Sequence, residues 1–279
     1  MIRILVLLLV SYFNCLANAE TICGTGTAYK MDYKYCIHKN QNSQDVLHYL
    51  HGHGGSEKNW GEQEVNKNIR KHWTAAGKEV PNVIAFSFGT KWLLTEVPQS
   101  GGVSRYYAYI NKILPDLEAK LGSFTGRRML MGESMGGINS TLIMERAGNL
   151  FERVAINCPA ITAIGPHASD REVEAYIQRH QPYVSRFYVM YMQQWGQQEF
   201  PTQADWEHHA PLDVGRTSPV LPQNIYVSCG NKDQFGFIEG AEKFAEIAAS
   251  RGRNVIWVPI EGGGHCSINS KAVSEFLMP

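Results

Sequence analysis

The sequence predicts an α/β fold in which a mostly parallel sheet is flanked by helices on both faces. Short apolar segments typical of buried strands alternate with longer helical patterns, and glycine-rich or polar turns follow several of these segments. At 279 residues the chain is long enough for one large domain with a substantial core. The predicted strands are Val46–Leu50, Val83–Phe88, Arg128–Met131, Val154–Asn157, Ile225–Ser228 and Val255–Pro259.

Residues 1–19 have the features of a signal peptide. Met1-Ile2-Arg3 gives a positive start, Ile4–Val10 is an apolar run too short to span a bilayer, and Ala17-Asn18-Ala19 is a small-x-small cleavage site. We therefore expect cleavage after Ala19. Residues 20–279 would then form a single domain that is secreted or periplasmic.

The charge balance excludes several classes of partner. The chain has 26 basic and 26 acidic residues, so it has no excess of positive charge that would favour binding to nucleic acid or to an anionic membrane. No later apolar segment approaches the length of a membrane span, and no motif indicates a cofactor. The sequence does not indicate an oligomeric state.

Residues 22–40 are expected to form an antiparallel edge of the sheet. Cys23 and Cys36 flank this polar, tyrosine-rich segment and are predicted to join an N-terminal hairpin, because disulfides form in exported proteins. Cys229 and Cys266 are predicted to lie in two loops that are expected to meet, so they could also pair. Cys158 would then be a buried free thiol, although the five cysteines that remain after cleavage of residues 1–19 leave this pairing open.

A glycine-rich turn, His51-Gly52-His53-Gly54-Gly55, follows the strand Val46–Leu50. Backbone N–H groups in such a turn can bind an oxyanion. The predicted donors are the N–H groups of His53 and Met135, with Gly54 as an alternative to His53. A plain tight turn is the other interpretation, whereas a phosphate loop fails because no Gly-Lys-Ser/Thr follows. The two histidines lack a nearby carboxylate cluster, so no metal site is predicted.

Two helices have clear start and stop signals. Ser104 is a predicted N-cap for a helix that runs to Leu121, with Gly122 as its stop. The second helix runs from Phe237 to Arg251 and ends at Gly252.

The segment Gly132-Glu133-Ser134-Met135-Gly136 is the most informative motif in the chain. It has the pattern Gly-x-Ser-x-Gly, follows the strand Arg128–Met131, and precedes a helical pattern over 137–146. A strand, a sharp turn and a helix are the setting of a nucleophile elbow, which lifts the serine hydroxyl above the sheet. The glycines are needed because side chains there would collide with the neighbouring elements.

The segment 161–218 breaks the alternation of strands and helices. It has no evident strand and is rich in Tyr, Trp, His and Gln. An inserted helical cap over the site and a peripheral helical excursion are both compatible with this composition.

Two further polar residues follow strands in the second half of the chain. The turn after Ile225–Ser228 carries Asp233, and the turn after Val255–Pro259 carries His265. The order Ser134, Asp233, His265 is that of an α/β-hydrolase triad. In this chemistry the histidine takes the serine proton during attack, and the aspartate holds the imidazole and stabilises its charged form. The triad is therefore predicted to be Ser134, His265 and Asp233.

Together these motifs resemble the esterase-D-like branch of the α/β-hydrolase superfamily, often called the putative esterase family. The matching segments are Leu50–Gly55 followed by Trp60, Gly132–Gly137, the turn Gly230–Asp233 and the pair Gly264-His265. The branch includes S-formylglutathione hydrolases, feruloyl and acetyl-xylan esterases, and mycolyl transferases. The resemblance implies an eight-stranded, mainly parallel sheet and an acyl-serine mechanism without a cofactor.

The resulting prediction is an exported serine carboxylesterase that acts on small-molecule or carbohydrate esters. Trp92, Trp195 and Trp206 are candidate substrate contacts, although for each of them taken alone packing is the favoured interpretation. Acyl transfer by the same triad and a non-catalytic secreted binding protein are the alternatives. A peptidase is also compatible with the triad, but no motif specifies a peptide-binding cleft.

Overall fold

The computed structural model describes residues 20–91 and 101–279, and these residues contain an eight-stranded sheet. The strands are β1 (Glu20–Ala28), β2 (Met31–Lys39), β3 (Val46–Leu50), β4 (Asn82–Ser87), β5 (Arg128–Glu133), β6 (Arg153–Asn157), β7 (Asn224–Gly230) and β8 (Asn254–Ile260). Their order is β1-β2-β4-β3-β5-β6-β7-β8. β2 pairs antiparallel with β1 and β4, and the other neighbours pair in parallel, which confirms the predicted sheet and its antiparallel edge.

Helices cover both faces of the sheet because successive strand residues point to opposite sides. Leu130 of β5 belongs to one buried cluster, and its neighbours Met129 and Met131 belong to the other. Within the described residues, no helix is long and apolar enough to cross a membrane. The helices are α1 (Asn59–Glu62), α2 (Glu64–Ala75), α3 (Arg105–Ala108), α4 (Leu114–Ala119), α5 (Met135–Ala147), α6 (Asp170–Arg179), α7 (Arg186–Glu199), α8 (Gln203–His209), α9 (Pro211–Thr217), α10 (Phe237–Ser250) and α11 (Ser270–Leu277).

The predicted helix after Ser104 begins as expected but changes its geometry midway. The Ser104 side chain accepts a hydrogen bond from the backbone N–H of Tyr107, and a π-helical turn over Tyr109–Ile113 then joins α3 to α4. Pro115 has no N–H to donate to the preceding turn, and its ring would crowd the carbonyl four residues earlier. A wider turn before the proline relieves both problems.

The segment 161–218 connects β6 to β7 through four helices, α6 to α9, and it contains no strand. Two of these helices begin with a capping box, in which the cap side chain and an acidic side chain three residues later bond each other's backbone N–H groups. The pairs are Ser169 with Glu172 and Thr202 with Asp205. The first turns of α6 and α8 are therefore stabilised by residues of their own sequence.

The antiparallel edge is closed by a disulfide. Cys23 of β1 lies opposite Cys36 of β2 in the strand register, and their sulfur atoms are bonded. The predicted Cys23–Cys36 pairing is confirmed.

A buried ion-pair network attaches α4 to the sheet. The Arg128 guanidinium donates to both carboxylate oxygens of Glu118, from Nε at 2.6 Å and from Nη2 at 2.7 Å. His48 Nε2 lies 2.9 Å from the same carboxylate, and the Tyr109 hydroxyl lies 2.9 Å from His48 Nδ1. Burial alone would raise the pKa of Glu118, but the hydrogen bonds from His48 and Arg128 lower it to about 2.

We expect Glu118→Gln to lower the free energy of unfolding by on the order of 2 kcal/mol at pH 7 and by much less near pH 2. The folded-state pKa of Glu118 lies below its ordinary value of 4.5, so this stabilisation is fully present above the ordinary value and is lost as the pH falls towards 2. Urea unfolding at several pH values would measure the difference. Glu275→Gln is the control, because that carboxylate forms only an exposed ion pair with Lys271. A difference that does not depend on pH would contradict this account.

Candidate functional site

Ser134 lies at a strained turn between β5 and α5. Its backbone has φ 53° and ψ −115°, a conformation that residues with side chains rarely adopt. Three backbone hydrogen bonds fix the turn: Ser134 donates to the carbonyl of Asn157 at 3.0 Å and accepts from Ile138 at 3.0 Å and from Ala160 at 3.1 Å. The end of β6 and the residues just after it therefore hold the serine in place at the carboxyl edge of the sheet.

The glycines of this motif are required by close backbone contacts. A Cβ atom on Gly136 would overlap the carbonyl group of Leu50, and one on Gly132 would overlap the carbonyl group of Gly136. Both positions therefore need a residue without a side chain, as the sequence pattern predicts.

The structure brings Asp233 and His265 to Ser134. His265 Nε2 lies 2.9 Å from Ser134 Oγ, and His265 Nδ1 lies 2.7 Å from Asp233 Oδ2. Since the carboxylate can only accept, Nδ1 carries the proton and Nε2 accepts from the serine hydroxyl. Asp233 is 2% exposed and also accepts from the backbone N–H of Phe235 at 2.8 Å, and Gln234 Oε1 accepts from the backbone N–H of His265 at 3.2 Å.

The glycine-rich turn after β3 faces the same hydroxyl. His51 is buried, and its Nδ1–H donates to the carbonyl of Gly52 at 2.7 Å while Nε2 accepts from the Ser87 hydroxyl at 2.7 Å. Burial lowers the pKa of His51, which keeps the ring neutral as this bonding requires. His53 lines the pocket at Ser134. Within the described residues, neither its N–H nor that of Met135 donates to an acceptor, so both are available to a ligand.

The predicted pairing of Cys229 with Cys266 is wrong. Cys266 is bonded to Cys158 instead, and Cys229 is the buried free thiol. Strand β7 extends to Gly230, so Cys229 lies within the strand rather than in the loop after it. Cys158 has a φ of 41°, which turns the chain after β6 towards the loop that carries His265.

The disulfide also decides whether a metal could bind beside His265. The ligand atoms of Cys158, His265 and Cys266 lie within 4.8 Å of one another, a spacing compatible with a metal ion. Thiolates are the cysteine form that binds metals, and both sulfur atoms are consumed by the disulfide. The oxidised protein therefore has no thiolate to offer at this position.

The free thiol of Cys229 contacts the aspartate. Its Sγ lies 3.7 Å from Asp233 Oδ2, and the thiol donates to the carboxylate. Burial, together with the negative charge of Asp233, raises the pKa of Cys229 and keeps the thiol protonated.

A pocket of about 260 Å³ opens at Ser134 and His265. Tyr191, Met192 and Trp195 of α7 form one wall, so the helical segment 161–218 contributes to the pocket through α7. Phe235 and Phe237 form another wall, and their ring centroids lie 4.9 and 5.5 Å from that of His265.

The three tryptophans predicted as substrate contacts differ in where they lie. Trp195 lines the pocket at Ser134, as expected of a substrate contact. Trp206 lines a neighbouring cavity and packs against Phe200 with ring centroids 5.3 Å apart. Trp92 lies outside the described residues.

The sequence analysis missed several residues that build the site. Phe235 and Phe237 follow Asp233 closely, so their position beside the predicted acid was a usable signal. Glu133 is buried and accepts from the Tyr49 hydroxyl at 2.5 Å, and burial raises the pKa of this carboxyl group. Nothing in the sequence marked Met192, which lies in a helix without a recognisable motif.

The sheet order, the elbow after β5 and the residues that meet at the ends of β5, β7 and β8 define an α/β-hydrolase. A family model described as "Putative esterase" matches residues 27–265. The chain belongs to this family and is a carboxylic ester hydrolase. A comparison with curated protein sequences gave no match.

Solved structures share the fold at low sequence identity. A ferulic acid esterase is 16% identical with a TM-score of 0.60, covering 93% of this chain and 94% of that one. An S-formylglutathione hydrolase from Agrobacterium tumefaciens is 14% identical with a TM-score of 0.64, covering 91% of both chains. The thermophilic carboxylesterase EstE1, cloned from a metagenomic library, is 17% identical with a TM-score of 0.64, covering 94% and 90%. At these identities the likeness concerns the fold alone.

Removing the Cys158–Cys266 disulfide is expected to slow ester hydrolysis. The bond joins the loop of His265 to the residues that hold Ser134, and small displacements of reacting groups are costly. We expect the double variant Cys158→Ser, Cys266→Ser to lose about ten- to hundredfold in kcat. The matched control is Cys23→Ser, Cys36→Ser, which opens the distant hairpin and should leave kcat unchanged while lowering Tm. Equal kcat values in the two double variants would show that the disulfide does not position His265.

Proposed function

We propose that the protein is an exported serine carboxylesterase in which Ser134 is the nucleophile, His265 the general base and Asp233 the residue that orients it. The observation that carries the proposal is the continuous hydrogen-bonded chain, 2.9 Å from Ser134 Oγ to His265 Nε2 and 2.7 Å from His265 Nδ1 to Asp233 Oδ2. Such a chain matches the requirements of acyl transfer to serine.

The reaction would proceed in two halves. Ser134 Oγ attacks the ester carbonyl carbon while His265 Nε2 takes the hydroxyl proton, and the N–H groups of His53 and Met135 bind the oxyanion. Collapse of the tetrahedral intermediate breaks the bond to the alcohol, which leaves with the proton from His265. Water then attacks the acyl-serine, giving its proton to His265, and a second collapse frees the carboxylic acid and restores Ser134.

Export is supported by the sequence of residues 1–19, which lie outside the described part of the structure, and by the disulfides. Two disulfides in one chain are typical of an oxidising compartment. We therefore propose that the leader is cleaved after Ala19 and that the enzyme works in the periplasm or outside the cell.

Hydrolysis of p-nitrophenyl esters tests the triad directly. We expect the native protein to turn over and Ser134→Ala to lose about 10⁴- to 10⁶-fold in kcat/KM, because the variant lacks the hydroxyl that lies against His265 Nε2. Ser185→Ala is the matched control, since that serine is exposed at the start of α7 and makes no capping hydrogen bond. Retained activity in Ser134→Ala, or labelling of another residue by a fluorophosphonate, would refute the assignment.

A further inference from the structure

The pocket at Ser134 has few polar residues in its lining. Apart from Ser134, His53 and His265, its described lining residues are apolar or aromatic. Neither an acidic side chain nor a lysine or arginine is among them. A charged group bound here would lose its hydration without gaining an ionic partner, which is costly in a partly enclosed site. The pocket therefore favours an uncharged apolar group.

A second cavity, called the inner cavity below, lies between the helical segment 161–218 and the nucleophile helix α5. It measures about 40 Å³ and is lined partly by Ile138, Phe200 and Trp206. Its polar side chains already have partners: the Thr162 hydroxyl donates to the carbonyl of Ile164 at 2.6 Å, and the Gln193 amide donates to that of Ala168 at 3.2 Å. The inner cavity therefore presents a predominantly apolar lining.

The pocket and the inner cavity meet at Trp195. Both are lined by Trp195, together with Ala160, Met192 and Phe235. The Trp195 ring contacts the His53 ring edge-on with centroids 5.0 Å apart, so it spans from α7 to the glycine-rich turn.

The position of Trp195 is fixed by the packing of α7 on the segment before α6. A Cβ atom on the next residue, Gly196, would come within 2.8 Å of the Pro166 side chain. The Gln197 amide donates to the carbonyl of Pro166 at 2.8 Å. These contacts hold the helix turn that carries Trp195, so the indole is a fixed wall of the pocket.

From these contacts we infer that Trp195 sets the length of the acyl group that the enzyme accepts. This inference rests on the proposed function. The acyl group is apolar and uncharged and lies in the pocket of about 260 Å³ at Ser134. That volume is below the usual range for drug-sized ligands, so it fits a short chain or a single ring. Trp195 closes off the inner cavity, which would otherwise extend the site.

The acyl part suits this pocket better than the alcohol part for a kinetic reason. The alcohol must depart while the acyl group is still bound to Ser134, and a pocket that ends against a wall gives a departing group no route. The acyl group leaves only after water has attacked, so it can occupy a closed end. Trp195 is therefore expected to discriminate between acyl groups rather than between alcohols.

The test is the chain-length profile of Trp195→Ala with p-nitrophenyl esters from acetate to dodecanoate. This variant joins the pocket at Ser134 to the inner cavity. We therefore expect the ratio of kcat/KM for octanoate to that for butanoate to rise by at least about tenfold. Trp195→Phe should shift the profile less. Phe187→Ala is the matched control: this aromatic residue lies on the same helix, is 72% exposed and is not among the pocket lining residues, so its profile should equal that of the native protein.

Substitution of Trp206 distinguishes the effect of opening the inner cavity from the effect of enlarging it. Trp206→Ala alone should leave the profile unchanged because the Trp195 wall still closes the cavity, whereas Trp195→Ala, Trp206→Ala should favour longer chains than Trp195→Ala does. A parallel loss of activity on all chain lengths in Trp195→Ala and Trp195→Phe would overturn the inference and reduce Trp195 to a packing residue. A change in the preference of Trp195→Ala for the alcohol part, measured with a series of acetate esters, would also overturn it.

The outcomes distinguish this inference from the proposed function. If the native protein hydrolyses no ester of the series and a fluorophosphonate does not label Ser134, the serine esterase assignment fails. If the native protein is active and Ser134→Ala is inactive while Trp195→Ala keeps the native profile, only the role of Trp195 fails.

Discussion

The site depends on one backbone constraint, the single-residue turn at Ser134. β5 ends at Glu133 and α5 begins at Met135, so one residue must reverse the chain in a conformation that side chains disfavour. The strain is held by the hydrogen bonds to Asn157 and Ala160 and by the close packing at Gly136. The position of the hydroxyl is thus set by the centre of the sheet, where the strands are almost entirely buried.

The other groups are brought to this hydroxyl by neighbouring parallel strands. Asp233 and His265 follow β7 and β8, and the parallel pairing places their loops at the same edge as Ser134. The helical segment 161–218 supports the same loops from above: the Tyr176 hydroxyl of α6 donates to the carbonyl of Phe235 at 3.0 Å. The segment that forms the pocket wall therefore also supports the turn that presents the aspartate.

The sequence was most informative where function and local geometry depend on the same residues. Ser134, Asp233 and His265 could be predicted because each follows an apolar strand, and parallel strands bring such positions together. The Cys23–Cys36 disulfide was also predictable, but the partner of Cys266 was not, because it depends on the end of β7 and on the φ of Cys158, which no periodicity reveals. The pocket wall formed by Met192 was also unpredictable, since the position of α7 beside the pocket is a tertiary property.

The reactivity of the Cys229 thiol reports on local opening of β7. It is the free cysteine of the described residues, and it is fully buried on the strand that leads to Asp233. An alkylating reagent can reach its sulfur only when the end of β7 separates from its neighbours, and the raised pKa of the thiol slows reaction further. The labelling rate therefore measures how often the strand carrying the aspartate opens. Ligands that tighten this strand can be recognised by the protection they give to one sulfur atom.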